Sequence, residues 1–573
     1  MKRFEPYVFL RELATRWDVL AFIVVIGLIV FLGETSRGLF APLSQLSVVP
    51  LSLDPIHLPE YAARTTFRMM AGLALSLIFT LTYATWAAKS ERAGKILVPI
   101  LDILQSVPIL GFISVTAVFF LSLAPGRVLG AEFVAIFAIF TSQAWNMAFS
   151  FYQSLRTIPL ELTEAAESFR LSPWMRFWQL EVPFGLPALI WNMMMSMSGG
   201  WFFVVASEAV VVGHTTFALP GVGSYIALAI AQKNLGAIGW AILTMLIVIL
   251  LYDQLMFRPL VAWADRFRVE QEPGARVPES WALTMMRRSR LISAATLAFH
   301  SAVLWTSRAV KRRDAPAGDA GARPTRKSLD LVWVLLMVMA VILGLWHIVA
   351  VLIANTPARE ALQVGGLALL TMLRVFILIA LASAIWVPIG VWVGMRPRAA
   401  QIVQPVAQFM AAFPANLLFP IAVYGIVTWK LNADIFLSPL MILGTQWYIL
   451  FNVIAGASAI PAEMRYVAAN FKVTGWLWWR KVALPAVLPF YVTGAITASG
   501  GSWNAAIVAE LATWGDTQVQ ARGLGAYIAE ATTAGDFHRI VLGIGTMSLF
   551  VVVINRLFWR PLYYYAERKY RLT

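Results

Sequence analysis

Pro159-Leu-Glu-Leu-Thr-Glu-Ala-Ala-Glu-Ser-Phe-Arg-Leu-Ser-Pro-Trp-Met-Arg-Phe-Trp-Gln-Leu-Glu-Val-Pro183 is a long polar break between apolar runs, and the chain carries it twice: its second copy runs from Pro461 to Pro485. Pro159 and Pro461 suit the first turn of a helix, where a missing N–H costs nothing. Glu161 and Glu463 then fall where the helix dipole favours an anion. Ser172 before Pro173 reads as the cap of a second short helix, and Thr474 aligns with Ser172 as the matching cap. Each break therefore reads as two short helices joined by a turn. Such a rigid element on one membrane face can dock into a partner and transmit a push.

The same register extends outward over most of the chain. Residues 63–268 overlie 369–570 with an offset of 306, which places Arg68 on Arg374, Pro99 on Pro405 and Pro108 on Pro414. After a gap the offset becomes 302 and holds to the end: Trp145 meets Trp447, Glu161 meets Glu463, Trp201 meets Trp503, Glu208 meets Glu510, and Arg258-Pro259-Leu260 meets Arg560-Pro561-Leu562. Tryptophan, proline and glycine matches at one fixed spacing are the mark of duplication and fusion.

The sequence is that of a polytopic membrane protein. Of 573 residues, 60% are hydrophobic and 13% charged. Apolar runs recur, Leu331–Ile353 among them, that reach the roughly 18 residues or more needed to cross a bilayer. About twelve helices are expected, near 17–33, 64–88, 96–123, 130–154, 186–212, 236–257, 330–353, 366–395, 402–428, 434–457, 488–511 and 538–558. The net charge of +15 does not indicate nucleic acid, because the basic residues sit at the ends of apolar runs, the positive-inside pattern. Lys2, Arg3, Arg11 and Arg16 at one terminus, and Arg568, Lys569 and Arg571 at the other, place both termini in the cytoplasm. Two equally oriented halves need an even number of crossings, so the short apolar segment Leu291–Trp305 reads as an interfacial helix, followed by the flexible tether Asp314–Lys327. The expected organisation is 1–62 as tail, first helix and loop, 63–268 as first repeat, 269–329 as basic cytoplasmic linker, 330–368 as leading helix and loop, and 369–573 as second repeat. We expect the linker to adhere to anionic membrane lipid.

Glu164-Ala165-Ala166, followed by Val182-Pro183, resembles the EAA loop of type I ABC importer permeases, the inner-membrane components of binding-protein-dependent transport, and within them the nitrate/sulfonate/taurine-like group with duplicated anion permeases. Val205-Ala206-Ser207-Glu208 with Gly221-Val222-Gly223, and the copies Val508-Ala509-Glu510 and Gly523-Leu524-Gly525, also match. The resemblance implies an all-α fold of two fused six-helix type I ABC permease domains in a bacterial cytoplasmic membrane. It implies ATPase coupling through Pro159, Glu161, Glu164, Ala165, Ala166, Arg170 and Pro183 and through Pro461, Glu463, Ala468, Lys472 and Pro485. Two ABC ATPase subunits and a periplasmic or lipid-anchored substrate-binding protein are the implied partners, and the implied solute is a small anion of the nitrate, sulfonate or bicarbonate class. This sequence departs from the pattern in three places. Arg170 and Lys472 stand where the family has glycine, Tyr466-Val467-Ala468 replaces Glu-Ala-Ala, and the Glu208–Gly221 spacer is longer, which points to an added periplasmic element.

No G-x-x-x-x-G-K-[ST] loop occurs, so ATP and its magnesium are expected on partner subunits, with no cofactor on this chain. No cysteine is present, and the five histidines form no metal-spaced cluster. No catalytic or metal-binding set is expected.

Glu208 and Glu510 lie late in their helices at matching positions. They are expected to face the interface between the halves, either lining the solute pathway or capping a neighbouring helix or reaching headgroup water. Arg68 and Arg374 are their possible partners, or else snorkel to the interface. Ser198-Gly199-Gly200-Trp201 and Gly500-Gly501-Ser502-Trp503 suit close helix packing, while Trp201, Trp503 and Asn504 could also line a cavity. Two other function classes compete with the importer. A secondary carrier can share parallel repeats but has no need of paired docking loops, and a membrane enzyme would need a reactive constellation beside the Glu pair, which is missing from the sequence.

Overall fold

The computed structural model of the protein describes residues 51–106, 109–212, 215–264 and 357–570, together with the isolated residues 42, 267, 339, 343 and 346. The expected helices at 17–33 and 330–353, the interfacial segment 291–305 and the tether 314–327 lie essentially outside the described residues. The other ten expected helices all fall on helical segments.

In the first half, α1 (Leu58–Lys89) follows a 3-10 turn capped by the Asp54 carboxylate. It is succeeded by α2 (Glu91–Ser106), α3 (Ile109–Leu123) and α4 (Val128–Arg156). The short α5 (Leu160–Ser168) and α6 (Pro173–Arg176) lead through a π-helical turn into α7 (Val182–Glu208). Strands β1 (Ala209–Val212) and β2 (Thr215–Ala218), then α8 (Val222–Ala231), α9 (Leu235–Tyr252) and α10 (Arg258–Ala264), complete it. The second half repeats this order. Helix α11 (Ala358–Gly394) matches α1, and α12 (Pro397–Ala412) with α13 (Phe419–Thr428) matches α2 and α3. The short α14 (Ala433–Phe436) and α15 (Leu440–Leu443) with α16 (Trp447–Ser458) match α4. Then come α17 (Ala462–Asn470), α18 (Gly475–Trp478) and α19 (Leu484–Ala509), strands β3 (Leu511–Trp514) and β4 (Thr517–Gln520), and α20 (Leu524–Ala534), α21 (Phe537–Ile554) and α22 (Arg560–Tyr570).

Among the described residues, six helices are long and apolar enough to cross a membrane, or nine if each bent pair counts as one span. The sharpest bend, 75°, separates α12 from the segment beginning at Ala415. Pro414 causes it: the ring excludes a helical N–H, and Phe413 before it takes an extended conformation. Helix α1 packs on α4 and α4 on α7, with α11, α16 and α19 packed in the same sequence.

The element added between Glu208 and Gly221 is a β-hairpin, in which Ala209 pairs with Ala218 and Val212 with Thr215. The second half carries its equivalent, Leu511 paired with Gln520 and Trp514 with Thr517. The apolar runs predict helix up to residues 212 and 511. Helix α7 stops instead at Glu208 and α19 at Ala509, because both carboxylates turn back to bond the next helix. Since α7 and α19 each run from a polar break to a hairpin, the breaks share one end of the bundle and the hairpins the other.

Candidate functional site

The polar breaks fold as paired short helices. Helix α5 closes when Leu171 N–H donates to the Ala166 carbonyl and Arg170 N–H to that of Glu167. Arg170 takes φ 50° and Lys472 likewise 50°, the left-handed conformation that favours glycine. The long side chains thus stand at the two positions where glycine fits without strain. The Ser172 hydroxyl accepts the Met175 N–H at 3.3 Å and caps α6 as expected. Thr474 differs: it sits at the cap position, but its hydroxyl makes no capping bond, and Gly475 after it has φ 59°. Ala166 and Ala468 face inward, while Glu161, Glu164, Ala165 and Glu463 are exposed. Phe169 and Phe471 also stand in solvent, 79% and 77% exposed, at matching places.

The two breaks are braced differently. Glu181, buried at the base of the first, receives Lys89 Nζ of α1 at 2.8 Å and Arg176 Nε at 3.4 Å, and Arg176 reaches Glu167 at 3.5 Å. Met395, Ala483, Trp478 and Ala469 stand at the corresponding places in the second half, so this ionic brace has no copy there.

At the hairpin end, each half holds an ionic cluster, wholly buried in the first half and partly open to solvent at Asp434 in the second. Arg68 is 1% exposed, and its guanidinium meets Glu132 through two bonds of 2.6 Å and Glu208 through one of 2.7 Å. Glu208 also accepts from Thr65 Oγ1 at 2.6 Å and from Gly223 N–H at 2.7 Å, at the first turn of α8. In the second half Arg374 reaches Glu510 at 3.1 Å and Asp434 at 2.8 Å. Glu510 accepts from Thr371 Oγ1 at 2.9 Å and from Gly525 N–H at 2.7 Å. Glu208 and Glu510 therefore turn into their own halves, not toward the interface, and the free N–H groups at the first turns of α8 and α20, a threonine hydroxyl and an arginine offset the cost of burying each carboxylate. Arg68 and Arg374 go with them and do not snorkel. Gly221 and Gly523 are required by this arrangement, since a Cβ at either would meet the glutamate carboxylate. The sequence reading missed Glu132 and Asp434, although they obey the 302 offset.

Between the halves lies a cavity of about 290 Å³. Its walls come from the middle of α4, the later parts of α7 and α19, the start of α16, the end of α21 and their neighbours, with Asn146 and Phe203 on one side and Thr445 and Asn555 on the other. Trp503 and Asn504 line it. Arg68, Glu208, Arg374 and Glu510 do not, and Trp201 packs edge-to-face on Tyr252 beside a separate small void. Among the described residues, no Asp, Glu, Lys, Arg or His lines the cavity. Asn504 Oδ1 accepts the Ile109 N–H at 2.7 Å and so ties the halves together at its edge. No metal-binding group of His, Asp or Glu occurs among the described residues.

A duplicated bundle with matched loops at one end and, among the described residues, no charged side chain on the cavity at the repeat interface is the arrangement expected of a membrane transport subunit. The family model for the binding-protein-dependent transport system inner membrane component matches twice, at residues 72–258 and 386–571, and the chain belongs to that family. It is an inner-membrane, multi-pass protein. It is 27% identical over 184 residues to the nitrate import permease protein NrtB of Leptolyngbya laminosa, covering 32% of this chain and 62% of that protein. It is 28% identical over 179 residues to the bicarbonate transport system permease protein CmpB of Synechococcus elongatus, covering 31% and 60%. The glycine betaine/carnitine transport permease protein GbuB of Listeria monocytogenes is 25% identical over 193 residues, covering 34% and 63%. The chain thus matches a little under two thirds of the length of these relatives.

Proposed function

We propose that this chain is the transmembrane permease subunit of an ATP-driven importer, carrying a small polar anion of the nitrate, sulfonate or bicarbonate class across the bacterial inner membrane. The observation that carries the reading is the pair of two-helix elements at one end of the bundle, each presenting an exposed helix, α5 or α17, and an exposed phenylalanine. A carrier driven by an ion gradient has no use for two such docking elements.

In this account two ABC ATPase subunits hold the ATP and magnesium and dock on α5 and α17 from the cytoplasm, where both termini also lie. A periplasmic or lipid-anchored binding protein delivers solute at the hairpin end. Closure of the ATPase pair moves both docking elements as rigid levers, and access to the cavity alternates between the two ends. The similarity to nitrate and bicarbonate permeases supports the anion class, as does the seclusion of all four carboxylates of the ionic clusters from the cavity.

The test is affinity purification of the tagged chain from native membranes in mild detergent, with mass spectrometry of what is retained. A Walker-type ATPase is expected in the eluate. Its absence across mild detergents, with uptake that follows an imposed ion gradient, would replace this reading with a secondary carrier.

A further inference from the structure

The two docking elements share their shape but not their chemistry. Ala166 and Ala468 face inward at matching positions, Phe169 and Phe471 stand in solvent, and Arg170 and Lys472 make the same left-handed turn. Their charges are opposite. Over 159–183 the carboxylates of Glu161, Glu164, Glu167 and Glu181 outnumber the cations Arg170 and Arg176, a net charge of −2. Over 461–485 Glu463 stands against Arg465, Lys472, Arg480 and Lys481, a net charge of +3. Exposed side chains alone carry the same two net charges, since Arg176 and Glu181, which are not exposed, cancel each other. The contrast is sharpest on the helices. Glu161, Glu164 and Glu167, three residues apart, run along one side of α5. On α17 the last two become Tyr466 and Ala469, and Arg465 replaces Thr163. Tyr466 is 71% exposed, and Trp476 is 74% exposed against 36% for its counterpart Trp174. Helix α5 is thus acidic, and α17 with its neighbouring turn is apolar and basic.

We infer that the two ATPase positions are held by non-identical modules: α5 seats in a groove with a basic rim, and α17 in a groove with an apolar floor and an acidic rim. The inference rests on the transport reading above and adds to it the composition of the motor. Two copies of one ATPase present the same groove twice. A basic rim that suits α5 would face Arg465 and Lys472 on the other side, and an acidic rim that suits α17 would face three carboxylates. Charges in direct contact lie well within the Debye length, so salt does not erase the mismatch. Attraction at the right half and repulsion at the wrong one also assign each module to its own position. Fusion of the halves makes this possible. Each docking surface occurs once in the chain, so the two can diverge, whereas a permease of two identical chains would present one surface twice.

The experiment uses the full tagged chain, purified from native membranes in mild detergent, with the retained ATPases quantified by mass spectrometry. Two different ATPase modules are expected, in equal amounts and each matching the chain one to one. The chain has no cysteine, so Glu164→Cys and Tyr466→Cys, at equivalent exposed positions, can each carry a thiol-linked photocrosslinker without background. The two variants are expected to capture different modules. Two copies of a single module, the same module captured at both positions, or no capture at one or both positions while ATPase is retained would overturn the inference and leave the transport reading standing. No ATPase with the unaltered chain would remove the transport reading and the inference with it.

Discussion

Arg68 and Glu132 meet through two parallel hydrogen bonds, Nε to Oε2 and Nη2 to Oε1, each 2.6 Å long and buried within the first half. The equivalent pair, Arg374 and Asp434, makes one bond of 2.8 Å, and the Asp434 side chain is 40% exposed. Removing the cation strands two buried carboxylates in the first half but only one in the second. Arg68→Ala is expected to cost about 3–5 kcal/mol, and Arg374→Ala distinctly less, because water reaches Asp434. Denaturant titration of the purified variants checks the order, and equal losses would contradict it.

Gly221 and Gly523 lie against the carboxylates of Glu208 and Glu510. Both have extended backbones, so space and not conformation excludes a side chain. Gly221→Ala should displace the Glu208 carboxylate from the first turn of α8 and cost about 1–3 kcal/mol, the range for a buried group deprived of its partner. Gly199→Ala, where a Cβ meets nothing within 4 Å, is the matched control and should be near neutral. Thermal melts of the two variants side by side decide it.

Arg170 and Lys472 occupy the left-handed region, which costs an L-residue on the order of 1–2 kcal/mol. Glycine removes that strain but adds unfolded-state entropy worth about 0.5–1 kcal/mol. Arg170→Gly should therefore raise stability by up to about 1 kcal/mol and keep the docking element intact. A loss of stability would show that the arginine side chain makes contacts that outweigh the strain.

Lys233 of the first half reaches Asp516 in the second hairpin at 3.2 Å, and Gly515 N–H donates to the Ile230 carbonyl at 3.0 Å. This exposed ion pair is worth under about 1 kcal/mol, so Asp516→Asn should leave stability almost unchanged. Its geometric use is greater. The chain has no cysteine, so Lys233→Cys with Asp516→Cys can be joined by a short bis-thiol reagent without background. If the hairpin end opens during transport, the joined protein should lose uptake and regain it on cleavage of the link. Undiminished uptake would show that this contact persists through the cycle.

Much of this architecture is legible in the sequence because hydropathy and a fixed offset are one-dimensional signals. They place the long helices, the two polar breaks, and the pairs Arg68 with Arg374 and Glu208 with Glu510. Glu132 and Asp434 escape because the repeat shows itself in identical residues, and this pair differs by a methylene. The hairpins escape because Ala209–Val212 is as apolar as the helix before it; what ends the helix is the turning of Glu208 toward α8, a tertiary event. The direction of the buried carboxylates is hidden for the same reason. The cavity lining is the least legible part, since Asn555 and Trp559 resemble ordinary helix-surface residues until the two halves are brought together.

The most direct test of the account compares the chain with its Glu161→Lys, Glu164→Lys variant, purified in parallel from native membranes. The account predicts that the unaltered chain retains a Walker-type ATPase, and that the variant loses most of it while keeping its own melting temperature, because both side chains are exposed on α5. Full retention by the variant, or no ATPase with either protein, would contradict the claim that these short helices are where ATP hydrolysis is coupled to transport.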